Sequence, residues 1–141
     1  SGSPFEHKTV NGRYMHANQG NNFYVFPGLG LGSILVGADH ISDGMLNAAA
    51  EAIPAILSEE QLKRGEIYPR VNQIRDISVE VASAVMAQAV KEGREGRGGK
   101  ISEILAVDGK TGIEKYVRSS MYYPEYRPTV FAPGGGKGTA D

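Results

Sequence analysis

Apolar residues recur at helical spacing over most of the chain and alternate over very little of it. Ile74, Ile77, Val81, Ala84, Val85 and Ala89 mark one face of a helix predicted over 74–92, with Gly93 as its stop. The alanines on that helix leave room for a close neighbour. Met45, Leu46, Ala49, Ala52, Ile53, Ile56 and Leu57 form a second helical face, opened by Ser42 or Asp43 as the cap. Pro54 interrupts that pattern. It has no backbone donor, so it is expected to kink or end the helix. Ser58 and Gln61 have the spacing of a capping box, which makes "SEEQLKRG" one or two turns stopped by Gly65. Leu29, Leu31, Ile34, Leu35 and Val36 fit a short buried helix from Pro27 to about Ala38, with proline in the first turn where no donor is needed.

Elsewhere the pattern changes. "KTVNGRYM" places Asn11-Gly12 between two short arms and predicts a β-hairpin over 8–15. Residues 94–100 read as a flexible loop. "ILAVDGKTGIEK" is ambiguous: Ile104–Val107 could be a strand leading into an Asp108-Gly109 turn, after which "IEKYVRSSMYY" restarts as a helix that stops before Pro124. The glycine-rich last eight residues read as disordered, and there is no internal repeat.

The 141 residues favour one domain with a modest core. A formal net charge of −1 gives no electrostatic footprint for nucleic acid or an anionic membrane. The absence of cysteine removes thiol nucleophiles, disulfides and zinc–thiolate sites. No apolar run reaches the ~18 residues of a membrane span. His7, His16 and His40 lack metal-ligand spacing, and His40 beside Asp39 reads as a loop residue. Glu59-Glu60 and Asp76/Glu80 read as solvated helix faces. Tyr122, Tyr123 and Tyr126 read as packing or interface aromatics.

"GNNFYVFPGLGLGS" carries the candidate chemistry. Gly28 and Gly30 begin a G-x-G-x-x-G pattern, but Ser33 stands where its third glycine belongs, and no second strand bearing an acid follows. The preferred reading makes Gly28, Gly30 and Gly32 a bare helix surface for tight packing. Asn21 and Asn22 read two ways. Asparagine commonly caps a turn or helix. A neutral amide also supplies two donors and an acceptor, which suits a hydroxy acid carboxylate or a carboxamide.

The ordered set "SGSPF", a hairpin, "QGNNFYVFPGLGLG", "HISDGMLNAAAEAI", "LKRGEIYPRVNQIRDISVEVASAV" and "YVRSSMYYPEYRP" resembles the C-terminal part of malic enzyme. The resemblance runs from Ser1 to about Pro128, apart from Arg94–Thr111. It implies an α/β fold: the C-terminal, mainly helical portion of a Rossmann-like NAD(P)-binding domain with a small β-hairpin. It implies oxidative decarboxylation of L-malate to pyruvate and CO2 with NAD or NADP as acceptor. A divalent metal, Mg2+ or Mn2+, polarises the C2 oxygen, and a lysine and a tyrosine serve as base and acid. In the "QGNN" motif the family's asparagine reaches the malate carboxylate beside the nicotinamide. That role carries over to Asn21 first and Asn22 second, for both substrate and cofactor.

The family's tyrosine, lysine, metal-binding acids and glycine fingerprint have no match in this segment, so no catalytic or metal-ligating residue is assigned here. The expected partners are L-malate and pyruvate, the rest of a malic enzyme chain and, in the full enzyme, a homo-oligomer, with no nucleic acid and no membrane. The resemblance allows mitochondrial matrix, plastid or cytoplasm. The organisation expected is a family segment over 1–128 with a loop insertion at about 94–111, then a glycine-rich flexible tail over 129–141. A non-catalytic binding module, or an accessory or structural subunit derived from malic enzyme, is the alternative. Intact mass and N-terminal sequencing separate these readings.

Overall fold

A computed structural model describes residues 2–3, 5–96 and 98–124. Strands β1 (Lys8–Val10) and β2 (Arg13–Met15) pair antiparallel, with Lys8 opposite Met15 and Val10 opposite Arg13. Asn11 and Gly12 join them at φ of 50° and 74°, the left-handed conformations that an Asn-Gly hairpin turn requires. A 3-10 turn at Asn22–Tyr24 leads into α1 (Phe26–Val36), followed by α2 (Asp43–Ala55), α3 (Glu59–Lys63), α4 (Ile74–Lys91) and α5 (Lys100–Ser120).

The ends of these helices follow from local chemistry. Ser42 accepts a hydrogen bond from the Met45 amide and so caps α2, which ends just past Pro54. Ser58 and Gln61 make both bonds of the capping box on α3. Gly37, Gly65 and Gly93 take positive φ beyond α1, α3 and α4.

Helix α4 is the centre of the molecule. Ile77, Val79, Val81, Ala82, Val85, Met86 and Ala89 are all buried, so it is apolar on nearly every side and must be covered all round. Helices α1, α2 and α5 supply that cover. Helix α1 comes closest. A Cβ added at Gly28 would lie 2.8 Å from the Ser78 carbonyl and 2.6 Å from Val81 Cβ. One added at Gly32 would lie 2.8 Å from the Ala82 carbonyl. Two glycines four residues apart thus let the α1 backbone rest on the Ser78–Val85 groove of α4. Gly30 departs from the expected ladder: it faces away from α4, with open space where its Cβ would be.

The predicted strand at Ile104–Val107 is helical, and Lys100 to Ser120 is one element broken only at Gly109 (φ 61°, ψ −149°). Its buried residues explain why. Ile101, Gly112, Ile113 and Val117, with Ile104 and Leu105 packed beside them, recur at helical spacing toward the core, whereas Val107 is 81% exposed. A strand would have put half of this run in water. Asp108-Gly109 is therefore a helix break and not a hairpin turn.

The segment expected to be a flexible loop over 94–100 is tied at both ends. The Gly96 amide donates to the Val36 carbonyl at 3.1 Å, and Glu95 accepts from the first amides of α5 at Ile101 and Ser102. Asp76 and Glu80 are not merely solvated. They pair with Arg118 at 2.8 Å and Lys110 at 2.6 Å, joining α4 to α5. Arg75 lies over the Tyr123 ring at 4.3 Å and donates to the Tyr122 carbonyl, which fastens the end of α5 to the start of α4. Tyr126 and the glycine-rich tail lie outside the described residues. Among the described residues, no helix is long and apolar enough to cross a membrane.

Candidate functional site

Two irregular segments meet in front of α1 and α2. One is Asn18–Tyr24, which enters α1. The other is Gly65–Arg70, which links α3 to α4. They are clasped together at several points. Asn18 accepts from the Ile67 amide at 2.5 Å, the Tyr24 hydroxyl donates to the Pro69 carbonyl at 2.8 Å, and the Tyr24 and Tyr68 rings stack with centroids 5.2 Å apart. Burial, with the Tyr68 phenol beside it, raises the Tyr24 hydroxyl above its ordinary range and keeps it a donor.

Asn21 stands at the turn in this segment. Its Oδ1 accepts the Phe23 amide at 2.9 Å, so it caps the 3-10 turn before α1. This bond occupies the oxygen and fixes the amide plane. Among the described residues the Nδ2 group has no hydrogen-bond partner. Capping and ligand contact are thus compatible at Asn21. Asn22 opens the same turn, and both side chains are exposed. A cavity of about 740 Å³ lies against them, walled by Gly20, Val25, Ile53, Pro54 and Tyr68. Val25, Ala50, Ile53, Pro54 and Ile67 supply its apolar lining, and Asn21, Asn22 and Tyr68 carry neutral hydrogen-bonding groups.

Gly28, Gly30 and Gly32 lie inside α1, and the Leu29 amide is already bonded to the Val25 carbonyl at 2.9 Å.

Two residues of the site have no local signal in the sequence. Tyr68 is one. Glu66 is the other, 4% exposed and met by three side chains. Gln61 Nε2 donates to it at 3.0 Å, Arg64 Nε lies at 3.2 Å and His16 Nδ1 at 3.1 Å. Burial would raise the Glu66 carboxyl, but the Gln61 amide, Arg64 and His16 together outweigh it and hold the group below its ordinary range. His16 in turn stacks on His7 at 4.5 Å, so Glu66 ties the hairpin arm to the strap that carries Tyr68. A carboxylate held more acidic in the folded state contributes stability above its unfolded-state pKa. That contribution is lost as pH falls through the lower folded-state value. Glu66→Gln is therefore expected to cost about 1 kcal/mol near pH 7. The difference in urea midpoint between the two proteins should shrink below about pH 4.

Among the described residues, no group of three His, Asp or Glu side chains could hold a metal ion. These residues do not fit the divalent cation, and no step through it is assigned to them.

Residues 1–90 match the family described as "Malic enzyme, NAD binding domain". The NAD-dependent malic enzyme 1, mitochondrial, of Arabidopsis thaliana is 46% identical over 134 residues, a match that takes in 93% of this chain and 21% of that protein. The NAD-dependent malic enzyme 59 kDa isoform, mitochondrial, of Solanum tuberosum is 46% identical over 133 residues. The NADP-dependent malic enzyme of Populus trichocarpa is 41% identical over 127 residues, 90% of this chain and 20% of that protein. The chain belongs to the malic enzyme family and is the mainly helical portion of its NAD-binding domain. It spans about a fifth of the length of these curated relatives.

Proposed function

We infer that this chain is the segment of a malic enzyme that presents Asn21 and Asn22 to malate and the nicotinamide. The observation carrying this reading is the cavity beside Asn21, whose amide is fixed through its oxygen and free at its nitrogen. In the reaction, hydride leaves C2 of L-malate for the nicotinamide and the hydroxyl proton passes to a base. The C3–C4 bond then breaks to release CO2, and a proton returns to C3 to give pyruvate. A divalent cation, Mg2+ or Mn2+, would be held by ligands outside these residues and would supply Lewis-acid polarisation there. The residues here bind and orient. Asn21 Nδ2 donates to the substrate carboxylate, Asn22 supplies a second amide to acid or carboxamide, and Val25, Ile53 and Pro54 exclude water from one side. NAD is the favoured acceptor, and the mitochondrial matrix the favoured compartment, because the relatives at 46% identity are NAD-dependent and mitochondrial by name, against 41% for the NADP-dependent one. The working state is a homo-oligomer of the full enzyme.

The test is malate-dependent NAD(P)H formation with Mg2+ or Mn2+. The full-length enzyme carrying this segment is expected to show it, and the isolated 141-residue chain is expected to show none. Turnover by the isolated chain, or none by the full-length enzyme, would overturn the reading.

A further inference from the structure

We propose that Tyr68 is a further substrate-contacting residue of this pocket, its hydroxyl donating a hydrogen bond to a carboxylate oxygen of the bound 2-hydroxy acid. The proposal rests on the malic enzyme reading of the site. The ring is held rigidly. It stacks on buried Tyr24 with 23° between the planes, and its neighbours Ile67 and Pro69 are bonded through their backbones to Asn18 and Tyr24. The hydroxyl end of the ring lies beside Gly20, with Oη 3.2 Å and two ring carbons 3.4 Å from where a Cβ would stand, and Gly20 immediately precedes Asn21. Any side chain at position 20 would press on the phenol, so glycine there keeps the polar tip beside the asparagine turn.

The two tyrosines of the stack differ in one respect. The Tyr24 hydroxyl is bonded to Pro69, whereas among the described residues the Tyr68 hydroxyl has no hydrogen-bond partner, and Tyr68 lines the cavity. Stacking explains the ring, and phenylalanine would stack as well. It does not explain the hydroxyl. A pre-oriented donor in a cavity that also holds the Asn21 amide makes two neutral donors from two separate segments. A carboxylate accepts several such bonds, and bonds to a charged acceptor are the stronger kind.

Steady-state kinetics of the full-length enzyme test this. Tyr68→Phe removes only the hydroxyl. It is expected to raise the KM for malate by about ten-fold or more, with the KM for NAD(P) and the melting temperature unchanged. Tyr68→Leu is expected to raise the malate KM likewise and also to lower the melting temperature, because the stack is lost. A malate KM for Tyr68→Phe within about two-fold of wild type would overturn the tyrosine contact while leaving the functional reading in place. A rise confined to the KM for NAD(P) would overturn the assignment to the acid. Absence of malate turnover by the wild-type enzyme would sink the functional reading and the tyrosine contact together.

Discussion

Asn21→Ala is expected to lower kcat/KM for malate in the full-length enzyme by roughly ten- to a hundred-fold, the loss of a hydrogen bond to a charged group. Observed capping and the proposed ligand contact use different atoms of this side chain. Oδ1 caps the 3-10 turn through the Phe23 amide, and Nδ2 is free for the ligand. Substitutions can separate them. Serine and aspartate both cap well, but neither offers an amide donor, and aspartate would place a negative charge against the substrate carboxylate. Asn21→Ser and Asn21→Asp are therefore expected to melt near the wild-type temperature while losing most of kcat/KM, with aspartate the poorer enzyme. Asn21→Ala should lose both. If kcat/KM followed melting temperature across the three variants, Asn21 would be a cap and nothing more.

What the sequence made legible was local chemistry. The hairpin at Asn11-Gly12 and the capping box from Ser58 to Gln61 both depend on neighbours within a few residues, and both formed as expected. The failed glycine fingerprint was equally legible, because Ser33 in place of the third glycine is read directly from the sequence. The error at Ile104–Val107 has a clear origin. A four-residue apolar run before Asp-Gly carries the same local signal in a helix as in a strand, and only the packing of Ile101, Ile113 and Val117 on α4 decides between them. Glu66 and Tyr68 were invisible for another reason. Gln61 and Arg64 are near Glu66 in sequence, but His16, which ties it to the hairpin arm, and the Gly20 and Tyr24 partners of Tyr68 lie more than forty residues away along the chain, and no spacing rule reaches that far.

The glycines of α1 are expected to respond unequally to a single added methyl. Gly28→Ala and Gly32→Ala should each destabilise the protein by about 1–3 kcal/mol, whereas Gly30→Ala should be neutral or slightly stabilising, since alanine is the better helix residue by up to ~1 kcal/mol. What the new carbon meets decides the sign. At Gly28 it meets the Ser78 carbonyl and the branched Cβ of Val81, and at Gly32 the backbone of Ala82. Neither obstacle can rotate aside, so α1 must lift from α4 by some tenths of an ångström. At Gly30 nothing lies within reach. The displacement also has a functional reading. Gly28 lies within the first turn of α1, close behind the turn capped by Asn21, while Gly32 lies a further turn away. Gly28→Ala should therefore lower kcat/KM for malate more than Gly32→Ala at matched loss of stability. Thermal melts together with malate kinetics on the three variants test both halves. Equal losses at positions 28, 30 and 32 would sink the one-sided contact. A cofactor-bound structure with a pyrophosphate held by the amides of residues 28–33 would return the glycines to phosphate binding.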